Sequence, residues 1–599
     1  MCGIFGTFSS RSIEPRVVDA GLAKLASRGP DGQGRWQEDG VVMAHTRLAI
    51  IDLDPRAAQP MHSTCGRYVI VFNGEIYNYR ELRHRLETKG TEFRTSSDTE
   101  VLLALFAAEG EGMVASLRGM FAFAIWDRVA KRAFLARDPY GIKPLYVGTF
   151  SDGVVIASQV RAIMATGLVA AAPDPRGQAG YWLLGSVPEP HTWYRDVQAI
   201  GSGTSAWIED SRLTRQRSFH DIGDRWRAAD ELPISKRSRS ELHDAARAAM
   251  KASVAAHLVA DVPVGLFLSS GIDSGVLGGL MAEESGARVR AVTLQFGEFA
   301  NTPYDETPAA RAIAERYGLE HHVRQVTAAE FEEDLPRIMA AMDQPSVDGI
   351  NTWYATKAAT ELGLKAVVSG VGGDELFQGY ESFRTLPRLV RVWSAVARVP
   401  GVVPVARAVL EVRARRTSNF RWRHAADWSR TMAGAWFLRR GLFAPDDLPH
   451  LMGRELAEEG LQEFSPGSWV ASMCGALPQD SRLALSLIES KTYLRNQLLR
   501  DSDWASMDHG VELRTPLVDA WLLAELAPVL KEIGGVPGKG VLAATPQTPL
   551  PADVVHRRKT GFAIPIKRWL EDRGRAACGG GSSNGWARYV ATHYAEAVA

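Results

Sequence analysis

Two loops of small residues, each directly after a short apolar segment, constrain the fold of this 599-residue chain more than any other feature. The first loop, residues 269–274 (Ser-Ser-Gly-Ile-Asp-Ser), follows the apolar run 262–268 and opens a helical pattern. The second, residues 369–375 (Ser-Gly-Val-Gly-Gly-Asp-Glu), follows the apolar run 366–368. Strands that alternate with helices in this way form a parallel sheet covered by helices on both faces. The second part of the chain is therefore predicted to be an α/β parallel-sheet domain.

The first part of the chain has a different pattern. Short apolar segments broken by glycine and Asn-Gly, such as 68–74 and 121–126, are typical of antiparallel strands. A polar stretch with little apolar periodicity, residues 209–240, follows them. Because 599 residues exceed what one hydrophobic core usually organises, we predict an α+β sandwich domain at residues 2–208, a linker at 209–240 and the α/β domain at 241–599. Residues 384–480 are predicted to add helices beside the parallel sheet.

The amino-acid composition limits the kinds of molecule that the protein is expected to bind. The chain has 69 basic and 69 acidic side chains, so its net charge attracts neither nucleic acid nor an acidic membrane, although a local patch is compatible with this balance. The four cysteines are too few and too scattered for a disulfide framework, and no apolar run approaches the ~20 residues of a membrane span. We expect a cytoplasmic protein that acts on small molecules, without a nucleic-acid or membrane partner. A homodimer is compatible with the sequence.

The N-terminus carries a candidate nucleophile. Removal of the initiator methionine would leave Cys2 with a thiol and a free α-amine, and an amine of pKa about 7.7–8.0 can accept the thiol proton near neutral pH. Taken alone, a cysteine at this position is usually an ordinary residue. Nearby motifs supply the remaining groups that would hold an amino acid by both of its ends: a cation in 47–52 (Arg-Leu-Ala-Ile-Ile-Asp), amide donors in 72–78 (Phe-Asn-Gly-Glu-Ile-Tyr-Asn) and carboxylates in 97–100 (Ser-Asp-Thr-Glu).

Together with residues 27–32 and 137–145, these motifs resemble the class II glutaminase domain of the N-terminal nucleophile hydrolases. The resemblance implies that Cys2 is the nucleophile and that Asn73 and the backbone amide of Gly74 form the oxyanion hole. It also implies that Arg47 binds the carboxylate of glutamine and that other residues complete the glutamine site: Leu48, Ile50, Glu75 and Asp98, of which the two acids bind the ammonium. The alternative interpretations are a hairpin turn for Asn73-Gly74 and a helix N-cap for Asp98.

The two loops of the second domain suit an anion. Small residues let backbone amides approach it, hydroxyl groups add donors, and a helix N-terminus adds positive potential. The kinase-type pattern G-x-x-x-x-G-K-[ST] is absent, and the loops resemble the pyrophosphatase-type ATP loops of asparagine synthetases. An ordinary Ser/Gly turn that caps a helix is the alternative. The resemblance implies cleavage of ATP to AMP and pyrophosphate, and it assigns these residues to ATP: Leu266, Ser269, Ser270, Gly271, Ile272, Asp273, Ser274, Leu294, Ser369 and Gly370.

Further roles follow from the same resemblance. Asp273 and Asp374 would hold Mg²⁺, which prefers hard oxygen ligands. Lys559, within 557–562 (Arg-Arg-Lys-Thr-Gly-Phe), would stabilise charge on the adenylating phosphate. Residues 498–507 and 512–519 also match the family pattern, so the resemblance covers nearly the whole chain and is weakest between 384 and 480. The sequence therefore predicts an ATP-dependent amidotransferase that moves ammonia from glutamine to a small carboxylate, with aspartate first among the candidates.

Alternative interpretations of the sequence differ in the acceptor carboxylate and in whether the protein is an enzyme. Val371 stands where aspartate-using members typically carry an acid, so either a neighbour such as Glu375 or Glu381 replaces that acid, or the acceptor lacks an α-ammonium. A cyclase of the β-lactam synthetase type is a second possibility, but such enzymes typically lose the glutaminase residues that are present here. Phosphoribosyl-pyrophosphate and fructose-phosphate amidotransferases share only the first domain. A non-catalytic binding protein would not need two complete sites.

Overall fold

The computed structural model describes residues 2–286, 288–417, 420–533, 538–557, 564–571 and 582–598. Its first half contains two six-stranded antiparallel sheets, with strand orders β10-β8-β9-β1-β3-β2 and β12-β11-β7-β6-β5-β4. The strands are β1 Gly3–Ser9, β2 Gly32–Glu38, β3 Val41–Arg47, β4 Met61–His62, β5 Tyr68–Ile76, β6 Gly119–Asp127, β7 Arg132–Arg137, β8 Tyr146–Phe150, β9 Gly153–Ala157, β10 Val197–Ala199, β11 Thr204–Glu209 and β12 Arg212–Ser218. The helices are α1 Pro15–Ala23, α2 Tyr79–Glu87, α3 Asp98–Glu109, α4 Val160–Met164 and α5 Pro175–Leu184.

The two antiparallel sheets pack face to face. Their shared core consists of inward side chains from both sheets, for example Ile4 and Met43 of the first and Val71 and Leu135 of the second. On the outer face of the second sheet, α2 and α3 cover a separate apolar cluster that includes Phe72 and Phe123. Because β5 is covered on both faces, its side chains are buried on either side of the pleat, which explains its nearly continuous apolar sequence. The predicted α+β sandwich is confirmed.

The structure differs from the sequence-based prediction over residues 209–240. Part of this stretch forms the edge strand β12, which pairs antiparallel with β11, and part forms helix α6 (Ile222–Glu231). The sequence there is polar because an edge strand exposes one side and most of its residues to water. The exact division of the chain into domains stays a prediction.

The second half contains a five-stranded parallel sheet with strand order β15-β14-β13-β16-β17. Its strands are β13 Val264–Phe267, β14 Arg290–Phe296, β15 Glu320–Val326, β16 Ala366–Val368 and β17 Glu512–Arg514. The intervening helices are α7 Arg239–His257, α8 Ile272–Glu284, α9 Thr307–Tyr317, α10 Ala328–Ala341, α11 Ile350–Glu361 and α12 Gly373–Leu376. The central strands β13 and β16 are neighbours, so the two loops of small residues lie side by side at the carboxyl end of the sheet, which is where open α/β sheets bind ligands.

Helices fill the remainder, as predicted for residues 384–480. They are α13 Ser382–Val396, α14 Val402–Thr417, α15 Phe420–Trp428, α16 Met432–Arg440, α17 Leu448–Met452, α18 Arg454–Glu463, α19 Pro466–Cys474, α20 Ser481–Glu489, α21 Arg500–Met507, α22 Ala520–Ile533, α23 Gly538–Ala543, α24 Ala552–His556, α25 Ile566–Glu571 and α26 Ser582–Val598. A π-helical segment, Ser490–Leu499, joins α20 to α21 without a break. Within the described part of the chain, no helix is long and apolar enough to cross a membrane.

Candidate functional site

The candidate nucleophile Cys2 lies at the start of β1, where the end of β3 runs beside it. Its backbone N–H donates to Asn73 Oδ1 at 2.9 Å, and its carbonyl oxygen accepts from Arg28 Nε at 3.1 Å. The thiol points to the Leu48 carbonyl oxygen, with Sγ at 3.9 Å. Burial raises the pKa of the Cys2 thiol, so the thiolate requires a nearby base to form at neutral pH.

Asn73 and Gly74 are arranged as the oxyanion-hole prediction requires. The Asn73 side chain accepts from Cys2 through Oδ1, while its Nδ2 is buried and has no hydrogen-bond partner in the structure. A buried donor without a partner is costly unless a ligand completes it. Gly74 has φ +148°, and a Cβ at this position would lie 2.0 Å from the Met120 carbonyl oxygen. Only glycine allows the backbone to take this path beside Asn73.

The residues predicted to bind the backbone of glutamine are placed at different depths. Glu75 is buried, and its Oε2 has no hydrogen-bond partner among the described residues. Asp98 is also buried and accepts from the Ile76 backbone N–H at 3.0 Å, while Ser97 rather than Asp98 is the N-cap of α3. Burial raises the pKa of Asp98 to about 6. Arg47 is half-buried and donates to the backbone carbonyls of Asp52 and Asp54, so its guanidinium would have to release them to bind a carboxylate.

Two charged contacts join this glutaminase site to the second half of the chain. Arg28 forms a bidentate ion pair with Asp503 of α21, at 2.6 and 3.1 Å, and both side chains are buried. Arg514 of β17 places Nη2 4.0 Å from Glu75 Oε2, and within the described part of the chain that nitrogen has no hydrogen-bond partner. Arg28 holds the Cys2 carbonyl and Arg514 faces the predicted ammonium ligand Glu75. The geometry of the cysteine site therefore depends on residues from both halves.

A cavity of about 510 Å³ opens at the carboxyl end of the parallel sheet. Ten of the predicted residues of the second domain line it: Ser269, Ser270, Gly271, Ile272, Asp273, Ser274, Leu294, Ser369, Gly370 and Asp374. Leu266 does not line it; its side chain is buried in the core, and the next two residues, Phe267 and Leu268, reach the cavity instead. Lys559 lies outside the described residues. The roles of all these residues stay predictions, but the structure brings ten of them to one cavity.

The first loop is closed by its own hydroxyl groups. Ser274 Oγ accepts from the Ser269 backbone N–H at 3.0 Å and lies 2.8 Å from Ser269 Oγ. Ser269 Oγ also accepts from the Gly271 backbone N–H at 3.1 Å. These contacts fix the turn that leads into the N-terminus of α8, where unpaired amides and the helix dipole favour an anion. The arrangement suits a phosphate group.

Asp273 and Asp374 converge on one cation. Lys539 forms ion pairs with both, and its Nζ lies 3.0 Å from Asp374 Oδ1. Burial alone would lower the pKa of Lys539, but the two carboxylates outweigh burial and raise it. Two carboxylates that share a positive charge are the donor set expected of a Mg²⁺ site, with Lys539 standing in for the metal, so the residues present fit the ion. Sequence analysis missed Lys539 because an isolated Gly-Lys-Gly carries no motif.

The lining of the cavity also includes other acidic side chains and an apolar one. Val371 lines it beside Glu375, Asp348 and Asp501. Burial, reinforced by the charge of Asp374, raises the pKa of Glu375 to about 7, and Tyr380 Oη donates to Glu375 Oε1 at 2.6 Å. Burial likewise raises the pKa of Asp348, and raises that of Asp501 to about 7. These carboxyl groups could bind a cationic or hydrogen-bond-donating part of a ligand.

An aromatic wall packs next to Glu375. The Arg440 guanidinium lies 3.7 Å from the ring centre of Tyr493 and 4.5 Å from that of Tyr380, and it pairs with the buried Glu489 at 3.0 Å. Both tyrosines line the cavity. No sequence motif predicted this wall, because its members come from α16, the loop before α13 and the π-helical segment. It fixes the shape of this part of the cavity by packing and charge together.

Comparison with known proteins assigns both halves of the chain to known domain families. Residues 1–220 match the family model of the glutamine amidotransferase domain, and residues 245–580, more than half of the chain, match that of asparagine synthase. The chain belongs to the asparagine synthase family. As a member of this family it is a glutamine-hydrolysing, ATP-dependent ligase, which confirms the predicted class of enzyme.

Relatives in this family extend over most of the chain. A putative glutamine-hydrolysing asparagine synthetase of Mycobacterium tuberculosis is 32% identical over 95% of this chain and 88% of its own length. Asparagine synthetase 1 of Bacillus subtilis is 29% identical over 96% of this chain and 88% of its own length. A Gibberella zeae protein named Amidase chry2 is 30% identical over 64% of this chain and 60% of its own length.

In this family member, we expect Asp503→Asn to lower glutamine hydrolysis at least tenfold, mainly through kcat, because Arg28 would lose its partner and release the Cys2 carbonyl. Breaking a buried pair costs roughly 3–5 kcal/mol. Glutamate release measures the effect. The matched control is Asp127→Asn, which breaks a bidentate pair with the half-exposed Arg67 at the end of strand β6. Equal activity in the two variants would contradict the prediction.

The carboxyl group of Glu306 is expected to make ATP binding depend on pH. Burial raises the pKa of Glu306 to about 7, and Ser270 of the first loop donates to it at 3.3 Å. Glu306 is therefore neutral below about pH 7 and becomes charged as the pH rises, when it repels a polyphosphate on that loop. We expect the KM for ATP to increase several-fold from pH 6 to pH 8 in the wild-type enzyme and to change less in Glu306→Gln. Steady-state kinetics across this range measure the difference; parallel curves would refute the assignment.

Proposed function

We propose that this enzyme releases ammonia from glutamine at Cys2 and uses it to amidate a carboxylate that is first activated as an acyl adenylate. The observation that carries the proposal is helix α21, which contributes to both sites. Asp503 of this helix fixes the cysteine site through Arg28, while Asp501 and Ser502 line the cavity. Two sites that share one short helix suit two consecutive steps of one reaction.

The first step uses the groups around Cys2. The α-amine, freed by removal of the initiator methionine, takes the thiol proton, and the thiolate attacks the side-chain carbonyl of glutamine. Asn73 Nδ2 and the Gly74 amide donate to the oxyanion, a contribution of about 10²–10³ in rate per donor. Ammonia leaves, and water hydrolyses the remaining glutamyl thioester. Glu75 and Asp98 hold the ammonium of glutamine, and Arg47 its carboxylate.

The second step takes place in the cavity. The acceptor carboxylate attacks the α-phosphorus of ATP, pyrophosphate leaves, and ammonia then displaces AMP. The loop from Ser269 to Ser274 and the N-terminus of α8 bind the phosphates, and Lys559 balances charge on the adenylating phosphate. Mg²⁺, held by Asp273 and Asp374, would neutralise phosphate charge, and Lys539 would then turn to a phosphate oxygen.

Ammonia is proposed to cross between the sites inside the protein, because ammonia in water at neutral pH is mostly protonated and not nucleophilic. The contact between the halves supports this route. Leu48 and Ile50, next to the cysteine site, pack on Ala366 of β16 and Met507 of α21. An apolar junction keeps ammonia neutral.

Aspartate is the acceptor that the cavity favours. Val371 cannot bind an ammonium, but Asp348, Glu375 and Asp501 line the same end and supply carboxyl groups for one. The names of the Mycobacterium tuberculosis and Bacillus subtilis relatives support this choice. The second candidate, a carboxylate without an ammonium, is favoured by the apolar surface of Val371 and by the partly neutral carboxyl groups, which would accept hydroxyl donors instead.

We expect Cys2→Ala to abolish product formation with glutamine and to retain it with ammonium salts, because activation of the carboxylate does not need the thiol. Amide product from each nitrogen source is the measurement. Cys65→Ala, which removes an exposed cysteine, is the control. Loss of both activities in Cys2→Ala alone would contradict the separation of the two steps.

The acceptor prediction is tested with aspartate and succinate, which differ only in the ammonium group. We expect pyrophosphate release with ATP and Mg²⁺ to be at least tenfold faster with aspartate, since the buried carboxyl groups compensate the ammonium charge. Malonate and other biosynthetic carboxylates complete the panel. Equal rates with aspartate and succinate would contradict aspartate as the acceptor and would favour the second candidate, a carboxylate without an ammonium.

A further inference from the structure

The segment of α13, the following turn and α14, residues 382–417, differs in charge from the rest of the protein. Between residues 384 and 416 it has eight arginines and a single acid, Glu411, whereas the whole chain has 69 basic and 69 acidic residues. Such an excess is a local patch in an otherwise neutral protein. We call residues 382–417 the basic segment.

The arginines of α13 occupy one face. Arg384, Arg388 and Arg391 recur at helical spacing and are exposed, and Arg398 continues them in the turn. The opposite face, with Phe383 and Leu386, is buried. None of these four arginines makes an ion pair with any residue that the structure describes. Four guanidinium groups without acidic partners leave a large positive potential at this surface.

The valines of α14 occupy a face of their own. Val402, Val405, Val409 and Val412 recur at spacings of three and four residues, and Val405 and Val409 are 65% and 63% exposed. The buried Ala414 lies on the other side of the helix, which packs on α15. Together with Val392 and Val399, these valines are six of the fourteen exposed large hydrophobic residues among those described. Exposed apolar side chains concentrated in this way indicate a contact surface.

We propose that the basic segment binds the surface of a membrane that contains anionic lipids. The exposed arginines of α13 suit the lipid phosphates, and the exposed valines of α14, the next helix of the chain, suit the boundary of the acyl chains. Each basic residue near an anionic surface strengthens binding by about fivefold. The inference is independent of the acceptor, and it revises the expectation, drawn from overall composition, that no membrane is involved.

Other partners fit less well. A nucleic acid would pair with the arginines but would leave the valine stripe in water. A second copy of this chain would bring two surfaces of the same positive charge together, because the contact between identical patches is symmetric. An anionic bilayer complements the charge and the apolar stripe at once.

Binding of the full chain to vesicles tests the proposal. We expect at least tenfold tighter binding to vesicles of phosphatidylcholine mixed with phosphatidylglycerol than to vesicles of phosphatidylcholine alone, and weaker binding at higher salt. The combined variant Arg384→Gln, Arg388→Gln, Arg391→Gln should lose at least tenfold in binding. Its matched control, Arg212→Gln, Arg225→Gln, Arg239→Gln, removes three exposed arginines elsewhere and should bind like the wild type.

The valines separate a membrane from other polyanions. Val405→Ser with Val409→Ser should weaken vesicle binding several-fold and leave binding to heparin unchanged, whereas Val129→Ser with Ile234→Ser, at two residues that are each 72% exposed, should change neither. Glutamine hydrolysis should be equal in all variants, which shows that they are folded. The proposal is overturned by equal binding to both kinds of vesicle, by an unaffected valine variant, or by equal loss in the arginine control. A change of oligomeric state in the valine variant would assign the surface to self-association instead.

Discussion

The buried ion pair between Arg28 and Asp503 is the contact on which the geometry of both sites depends. The two residues are separated by 475 positions in the chain, and their bidentate contact joins the peptide of the nucleophile to a helix of the synthetase half. A planar guanidinium held at two oxygens leaves little freedom of rotation. Cys2 is therefore positioned from both sides, by Asn73 within its own sheet and by Arg28 against the other half.

Charge balance organises the cavity in a similar way. Asp273 and Asp374 are compensated by the ammonium of Lys539, while Glu375 and Asp501, which lack so close a cation, have pKa values raised to about 7. Lys539 therefore balances the charge of one pair of carboxylates, whereas Glu375 and Asp501 gain or lose protons near neutral pH. The cavity therefore has two electrostatic environments, and the position of Lys539 determines which carboxyl groups belong to each.

Local motifs predicted much of this molecule. The loops of residues 269–274 and 369–375 follow adjacent strands as expected, and nine of their predicted residues line the cavity together with Leu294. Strand β16 has the same bounds as the apolar run 366–368 from which it was predicted. Contacts between distant segments were not predictable: Arg28 and Asp503, Glu75 and Arg514, and Lys539 with its two carboxylates. The periodicity of apolar residues indicates which residues are buried, but it does not indicate which charged side chains form ion pairs. Residues 212–218 were missed as a strand because exposure at a sheet edge removes the apolar alternation on which recognition depends.

The π-helical segment between α20 and α21 has a consequence for how this protein can change over evolution. Its wider turns place Tyr493 and Leu498, five residues apart, at the same cavity, and they set the rotation of α21. Removing one residue would restore ordinary helical spacing and turn everything beyond it by about 100°. Asp501 would then leave Ser346, and Asp503 would leave Arg28, although each half could still fold. A substitution along this helix therefore affects one contact at a time. A change in the length of the helix would separate the cysteine site from the cavity in one step.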